Sequence, residues 1–276
     1  MQAWPDTPAR LVRCLLVSPH LGAGGKGGDG AHHVLAQGLA GLQGVGRLLA
    51  DPALGCGQHG RGLVGPLIVE EREPTGFKHE RTLSLKNWHV DEQGNFVEFS
   101  IPREAARGGT AGRLITINGQ PEAVVEMPAG QIVRVRLLNL DNTLTYRINL
   151  KGNFEARIYA LDGNPITPRP LGKDYWLGPG MRICLAIKMP AAGEELSLRD
   201  GPVRLGTLRS VASSEAPGEW PPALPANPIA EPDLANAEKL NFNFEWVGSV
   251  SVNTENGKPP SLWQINGQAW DITDKT

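Results

Sequence analysis

Between residues 113 and 189 apolar and polar side chains alternate with a period of two. Val133, Val135 and Leu137 fall on one face of an extended segment, and Arg134 and Arg136 on the other. Tyr146, Ile148 and Leu150 alternate with Thr145, Arg147 and Asn149. Ala156, Ile158 and Ala160 alternate with Glu155, Arg157 and Tyr159. Met181, Ile183, Leu185, Ile187 and Met189 alternate with Arg182, Cys184, Ala186 and Lys188. Asn118-Gly119 closes the short run at 114–117, and Asp162-Gly163-Asn164-Pro165 breaks the run before it; both predict turns. No long stretch repeats at the helical period. The predicted class is therefore all-β, an antiparallel sandwich or barrel. A slip of one residue in any pairing would turn an apolar face outward, so the alternation fixes the register.

The flanks differ in texture. Residues 82–91 predict a strand running into a turn at 92–95, and residues 103–112 an exposed loop rich in Arg, Ala and Gly. Residues 195–199 and 203–205 supply strands that close the sandwich. Residues 213–236 are dense in Pro and Ala and without apolar rhythm. They read as a semi-rigid linker, with a peptide-recognition segment as the alternative. Residues 240–246 alternate again. Before Gln58 the chain is Gly-rich over 21–30 and only weakly helical over 38–49. It reads either as a flexible leader or as the product of a shifted reading frame. Resequencing the gene and finding no alternative frame with alternating strands would rule out the second.

Composition narrows the classes. In 276 residues the formal charge is −2, and no basic stripe interleaves with aromatics, so nucleic acid is not an expected partner. No apolar run approaches the roughly 20 residues that span a bilayer. Residues 1–6 carry no basic stretch leading into an apolar one, so no signal peptide is read. Three scattered cysteines, Cys14, Cys56 and Cys184, make no disulfide framework and leave any single bridge open.

Several segments together point to a family. Ile117-Asn118-Gly119-Gln120, then 133–139 (VRVRLLN), then Ala160-Leu161-Asp162-Gly163-Asn164-Pro165, then Leu177-Gly178-Pro179-Gly180 resemble the second cupredoxin domain of multicopper oxidases. Residues 58–71 (QHGRGLVGPLIVEE) resemble the last strand of that family's first cupredoxin domain. Residues 263–271 resemble the opening of its third. The resemblance implies a cupredoxin-like Greek-key sandwich or barrel and the following partition. Residues 1–57 are unassigned, 58–72 end a first domain, 73–212 form the second, 213–237 the linker, and 238–276 begin a third. It implies a fragment of a copper-dependent oxidase that couples oxidation of a small molecule or metal ion to reduction of oxygen to water. It also implies a periplasmic or secreted location. The copper would sit in the neighbouring domains, with the middle domain as scaffold. The runner-up is a non-catalytic relative serving as a structural or cell-division factor, and a generic secreted β-sandwich adhesion module stands third. A truncated third domain would expose Phe242, Phe244, Trp246 and Trp263, so poor solubility is expected, relieved by trimming after about Pro225.

The residues themselves offer little metal chemistry. A blue-copper centre needs two His, one Cys and a weak axial ligand. All six histidines, His20, His32, His33, His59, His79 and His89, precede residue 90. Cys184 has none near it and lies opposite the apolar stripe of its strand, so it reads as a small, partly buried side chain. His32-His33 are adjacent and would point apart in extended chain. His59 stands beside the family's copper-bearing corner but in a spacer; Asp51 and Ala53 stand where that family has imidazoles. His79 and His89 flank a strand and read as solvent-facing. No Gly-x-Ser-x-Gly elbow or Walker A loop is present. No catalytic, cofactor-binding or metal-ligating residue is assigned, and no copper is expected on this chain.

Overall fold

The alternating segments become strands. The computed structural model describes residues 12–14, 57, 59–69, 71, 73–101, 104, 107–227, 232–246 and 263–269. In chain order the strands are β1 (Val12–Cys14), β2 (Leu67–Val69), β3 (His79–Trp88), β4 (Leu114–Ile117), β5 (Val124–Pro128), β6 (Ile132–Asn139), β7 (Tyr146–Lys151) and β8 (Glu155–Leu161). They continue with β9 (Asn164–Pro170), β10 (Tyr175–Leu177), β11 (Arg182–Lys188), β12 (Glu195–Asp200), β13 (Val203–Val211), β14 (Phe244–Trp246), β15 (Trp263–Ile265) and β16 (Gln268–Ala269). A six-stranded sheet in the order β4-β3-β6-β11-β8-β9 faces a five-stranded sheet in the order β10-β7-β12-β13-β5. Leu83, Leu85, Val133, Val135, Leu137, Ile183, Leu185 and Ile187 meet Met127, Tyr146, Ile148, Leu150, Leu196, Leu198 and Leu208 in the core between them. Apart from Met181, half-buried at its rim, and Ala160, which lies on the outer face, the apolar stripes read from the sequence line this core.

The pairing corrects one expectation. The sheets are mixed, because β3 pairs with β6, and β5 with β13, in parallel. Chain that crosses from one sheet to the other before returning lays a strand beside an earlier one in the same direction. Turn chemistry behaves as read. Asn118 and Gly119 have φ of 52° and 81°, and Asp162 and Gly163 have 49° and 85°, the left-handed pair that closes a two-residue hairpin. Asn118 also ties its turn to β3: its Oδ1 accepts from Ser84 N at 2.8 Å and its Nδ2 donates to Thr82 O at 2.9 Å. β9 carries Pro165, Pro168 and Pro170, which cannot donate to a ladder. It lies at the sheet edge, where one side needs no donors.

The short sheets are separate. β1 pairs with β2, and β14, β15 and β16 form an antiparallel set. In that set Phe244, Trp263 and Ile265 are exposed, as are the preceding Leu240 and Phe242. The Gly-rich segment and most of residues 247–276 lie outside the described residues, as do His20, His32 and His33.

Candidate functional site

The polar stripes of the six-stranded sheet face away from the core, yet much of that face is buried. Arg134 is the centre of one cluster. Its side chain is 5% exposed. Nε donates to Cys184 Sγ at 3.2 Å, one terminal nitrogen donates to Glu80 at 3.0 Å, and the other to Glu71. Arg136 pairs with Glu80 and Glu71 as well. Burial works against the Arg134 charge, but the carboxylates and the sulfur outweigh it, and its pKa stands above the ordinary arginine value. Burial likewise pushes the Cys184 thiol up, with Arg134 and Arg136 pulling against it. A thiol held protonated under a guanidinium is a poor nucleophile and a poor metal ligand.

A second cluster lies at the C-terminal ends of β3 and β6 and on the neighbouring β4. Lys86, Asn87, His89, Thr110, Thr116, Asn139 and Asp141 are all buried. Asp141 accepts from Asn87 N at 3.2 Å, Thr143 N at 3.0 Å and Leu144 N at 3.1 Å. Lys86 Nζ donates to Asn142 Oδ1 at 3.3 Å; burial lowers its pKa, and Asp141 opposes that. His59 sits against this cluster. Burial and the Lys86 charge lower its pKa, while Asp141 and a backbone hydrogen bond with Leu140 oppose them. The segment carrying His59 is fitted to the sheet by glycines. At Gly62, with φ of 95°, a Cβ would stand 2.4 Å from the Trp88 ring. The Asn87 amide, His89 Nδ1 and the Tyr146 hydroxyl are buried with no hydrogen-bond partner among the described residues.

His89 corrects the sequence reading. It is buried, not solvent-facing, because Thr110 and Phe99 pack against it: its Nε2 donates to Thr110 O at 2.8 Å and its ring lies 6.5 Å from that of Phe99. Thr110 is therefore not part of an exposed loop either. His79 is half-buried, with Nε2 3.1 Å from Glu215.

These positions can be tested against copper. Among the described residues no three His, Cys, Asp or Glu converge as a metal would require. His59 lies beside Lys86, His79 beside Glu215 and His89 on Thr110, while Cys184 is capped by Arg134. At Cys184 a cation would have to displace a guanidinium, and at His59 it would meet the Lys86 ammonium. The described residues do not fit a copper centre. The cavity bordered by Gly62, Val64, Ser84, Lys86, Trp88 and Leu140 is about 10 Å³, room for one water rather than a substrate.

Two mixed sheets packed face to face, closed by short Asx-Gly turns, define a cupredoxin-like β-sandwich. No protein family profile matches the chain. Solved structures do. The chain is similar to the crystal structure of a multicopper oxidase from Pseudomonas thermotolerans, 63% identical with a TM-score of 0.70, over 80% of this chain and 50% of that one. It is 79% identical to a multicopper oxidase from Pseudomonas parafulva, with a TM-score of 0.69, over 78% of this chain and 50% of that one. Cell division protein FtsP from Rahnella sp. (strain Y9602) is 30% identical over 144 residues, 51% of this chain and 30% of that protein. The chain carries a cupredoxin-like domain similar to those of multicopper oxidases. It spans about half the length of the solved relatives it matches.

Proposed function

We propose that this chain is the central portion of a multicopper-oxidase-like protein, in which the sandwich over 73–212 is a metal-free scaffold between neighbours that carry the copper. The observation that carries this reading is a contrast. Identity to multicopper oxidases reaches 79% over 78% of the chain, while that chain is only 50% covered. The described histidines and Cys184 meanwhile turn to protein partners. The intact protein would oxidise a phenol or a low-valent metal ion and pass the electrons to oxygen, in the periplasm or outside the cell. The fragment reading also accounts for β14, β15 and β16, whose aromatic faces have no second sheet over them among the described residues. The test is metal analysis of the full-length gene product. Bound copper with a blue absorption band and substrate-dependent oxygen uptake is expected. A full-length protein free of copper and inert to oxygen would overturn the enzyme reading.

The likeness to FtsP favours a second reading, a non-catalytic relative that acts in cell division. It predicts no copper and no oxygen uptake, and a division defect on deletion of the gene.

A further inference from the structure

The segment that follows β13 has no strand and no apolar rhythm, yet it is fastened along the outer face of the six-stranded sheet. Gln131 Nε2 donates to Ala216 O at 2.7 Å and Gly218 N to Gly130 O at 3.0 Å. The Trp220 ring lies 4.1 Å from the Arg157 guanidinium carbon. Tyr159, wholly buried, donates its hydroxyl to Pro221 O at 2.8 Å. Leu224 is buried with Ile132, Tyr159, Ala160, Cys184 and Ala186 in a small apolar cluster that Phe77 and Trp220 complete. Asn227 Nδ2 reaches Asn164 Oδ1 at 2.7 Å. At Gly218 the segment meets the start of β6 without a gap: a Cβ there would stand 2.8 Å from Ile132 N.

The chain that leads into the sandwich meets the same place. Glu71 pairs with Arg134, and the Arg134 guanidinium stands 5.6 Å from the Phe77 ring centre. Phe77 packs edge-on against Tyr159 at 5.2 Å. Pro221 and Pro222 lie in contact range of the space a Cβ on Gly76 would occupy, and His79 pairs with Glu215. A contiguous path thus runs Glu71, Arg134, Phe77, Tyr159, Pro221, from the incoming connection to the outgoing one.

We propose that Glu71 with residues 73–79, and residues 215–227, form one clamp on the outer face, so that the chain entering and the chain leaving the sandwich hold or open together. This deepens the scaffold reading above, since a spacer can fix its neighbours only if both of its connections are fixed to it. The alternating strands give the body of the spacer, and the clamp gives its two fixed ends. Cys184, beneath Arg134 and beside Leu224, becomes accessible only when the clamp opens.

Hydrogen exchange read by mass spectrometry on this chain tests the clamp. Trp220→Ala removes the ring that packs on Arg157 and the Tyr159 cluster but touches nothing between the two sheets. Exchange should rise about tenfold in peptides covering 215–227 and, in step, in those covering 73–79. Peptides from β7 and β12 should be unchanged, and alkylation of Cys184, mapped to its own peptide, should quicken by a similar factor. Loosening confined to 215–227, or no loosening in either segment, overturns the clamp. Should Trp220→Ala unfold the sandwich, seen as exchange throughout β7 and β12, the same criterion applies to Tyr159→Phe, which removes one hydroxyl and leaves the ring. Each of these outcomes is independent of whether the full-length protein binds copper, so the clamp and the scaffold reading can fail separately.

Discussion

Two tyrosines should respond oppositely to the same deletion. Tyr146 begins β7 and points into the core, fully buried, its hydroxyl without a partner among the described residues. Burial, then the nearby Asp141 and Asp200 charges, raises its pKa. That hydroxyl left water and gained no protein hydrogen bond. Tyr146→Phe should therefore be neutral to stabilising, by about 1 kcal/mol. In a sandwich of this size that corresponds to a Tm rise of roughly 2–4 °C. Tyr159 is equally buried, but its hydroxyl donates to Pro221 O at 2.8 Å. Tyr159→Phe strands that carbonyl and should cost about 1 kcal/mol. The two variants should thus differ by about 1–2 kcal/mol. Urea unfolding followed by tryptophan fluorescence, with thermal unfolding by circular dichroism, measures both. Equal destabilisation by the two changes would show that the Tyr146 hydroxyl is satisfied. A neutral Tyr159→Phe would show that the Pro221 contact contributes nothing. Either result defeats the reasoning.

Three further outcomes are expected. His59 has a folded pKa below its ordinary 6.5, so the unfolded chain takes up its proton first on acidification. The stability it allows is complete above about pH 6.5 and falls as pH drops toward the folded value; urea midpoints against pH should show a shallower acid slope in His59→Gln, and an unchanged slope refutes this. Gly62→Ala puts a methyl into the Trp88 ring at a φ of 95° and should cost about 1–3 kcal/mol, whereas Gly94→Ala, with nothing near its Cβ, should cost less by the same unfolding assay. Ending the chain after Asn227 removes Phe242 and Phe244, 59% and 65% exposed, and leaves the outer-face contacts of Leu224 and Asn227; soluble yield should rise, and equal yields would count against an uncovered domain start.

The inter-sheet core was legible because alternation reports it directly. Each apolar residue of β6, β7 and β11 that shares a stripe is buried where its period places it. Pairing order was not legible: nothing local to β3 says that it lies parallel to β6, since that depends on which sheet the chain visits between them. β9 was hidden for a different reason. Three prolines argue against a ladder position, and only an edge position, a tertiary fact, accommodates them. Ala160 departs from the apolar stripe of Ala156 and Ile158 where the β8 register shifts between Ile158 and Ala160, and it joins Tyr159 in the outer-face cluster.

The outer face shows why the rest escaped. A period of two says which side of a strand meets the core and is silent on whether the other side is wet. Arg134, Cys184 and Tyr159 were assigned to a polar face, correctly, but that face is dry because residues 215–227 lie on it. The covering segment has no periodicity, since it contributes single side chains, Trp220 and Leu224, at irregular intervals dictated by prolines. Its only sequence signal is the mismatch of two large apolar residues within Pro- and Ala-rich text. A linker free in water would leave both exposed at no gain, whereas a segment carrying them against a strand face with Tyr and Cys among its polar positions buries Leu224, Tyr159 and Cys184 and half-buries Trp220. Reading the composition of a supposed linker against the composition of the nearest polar stripe is therefore a better test of freedom than proline content alone.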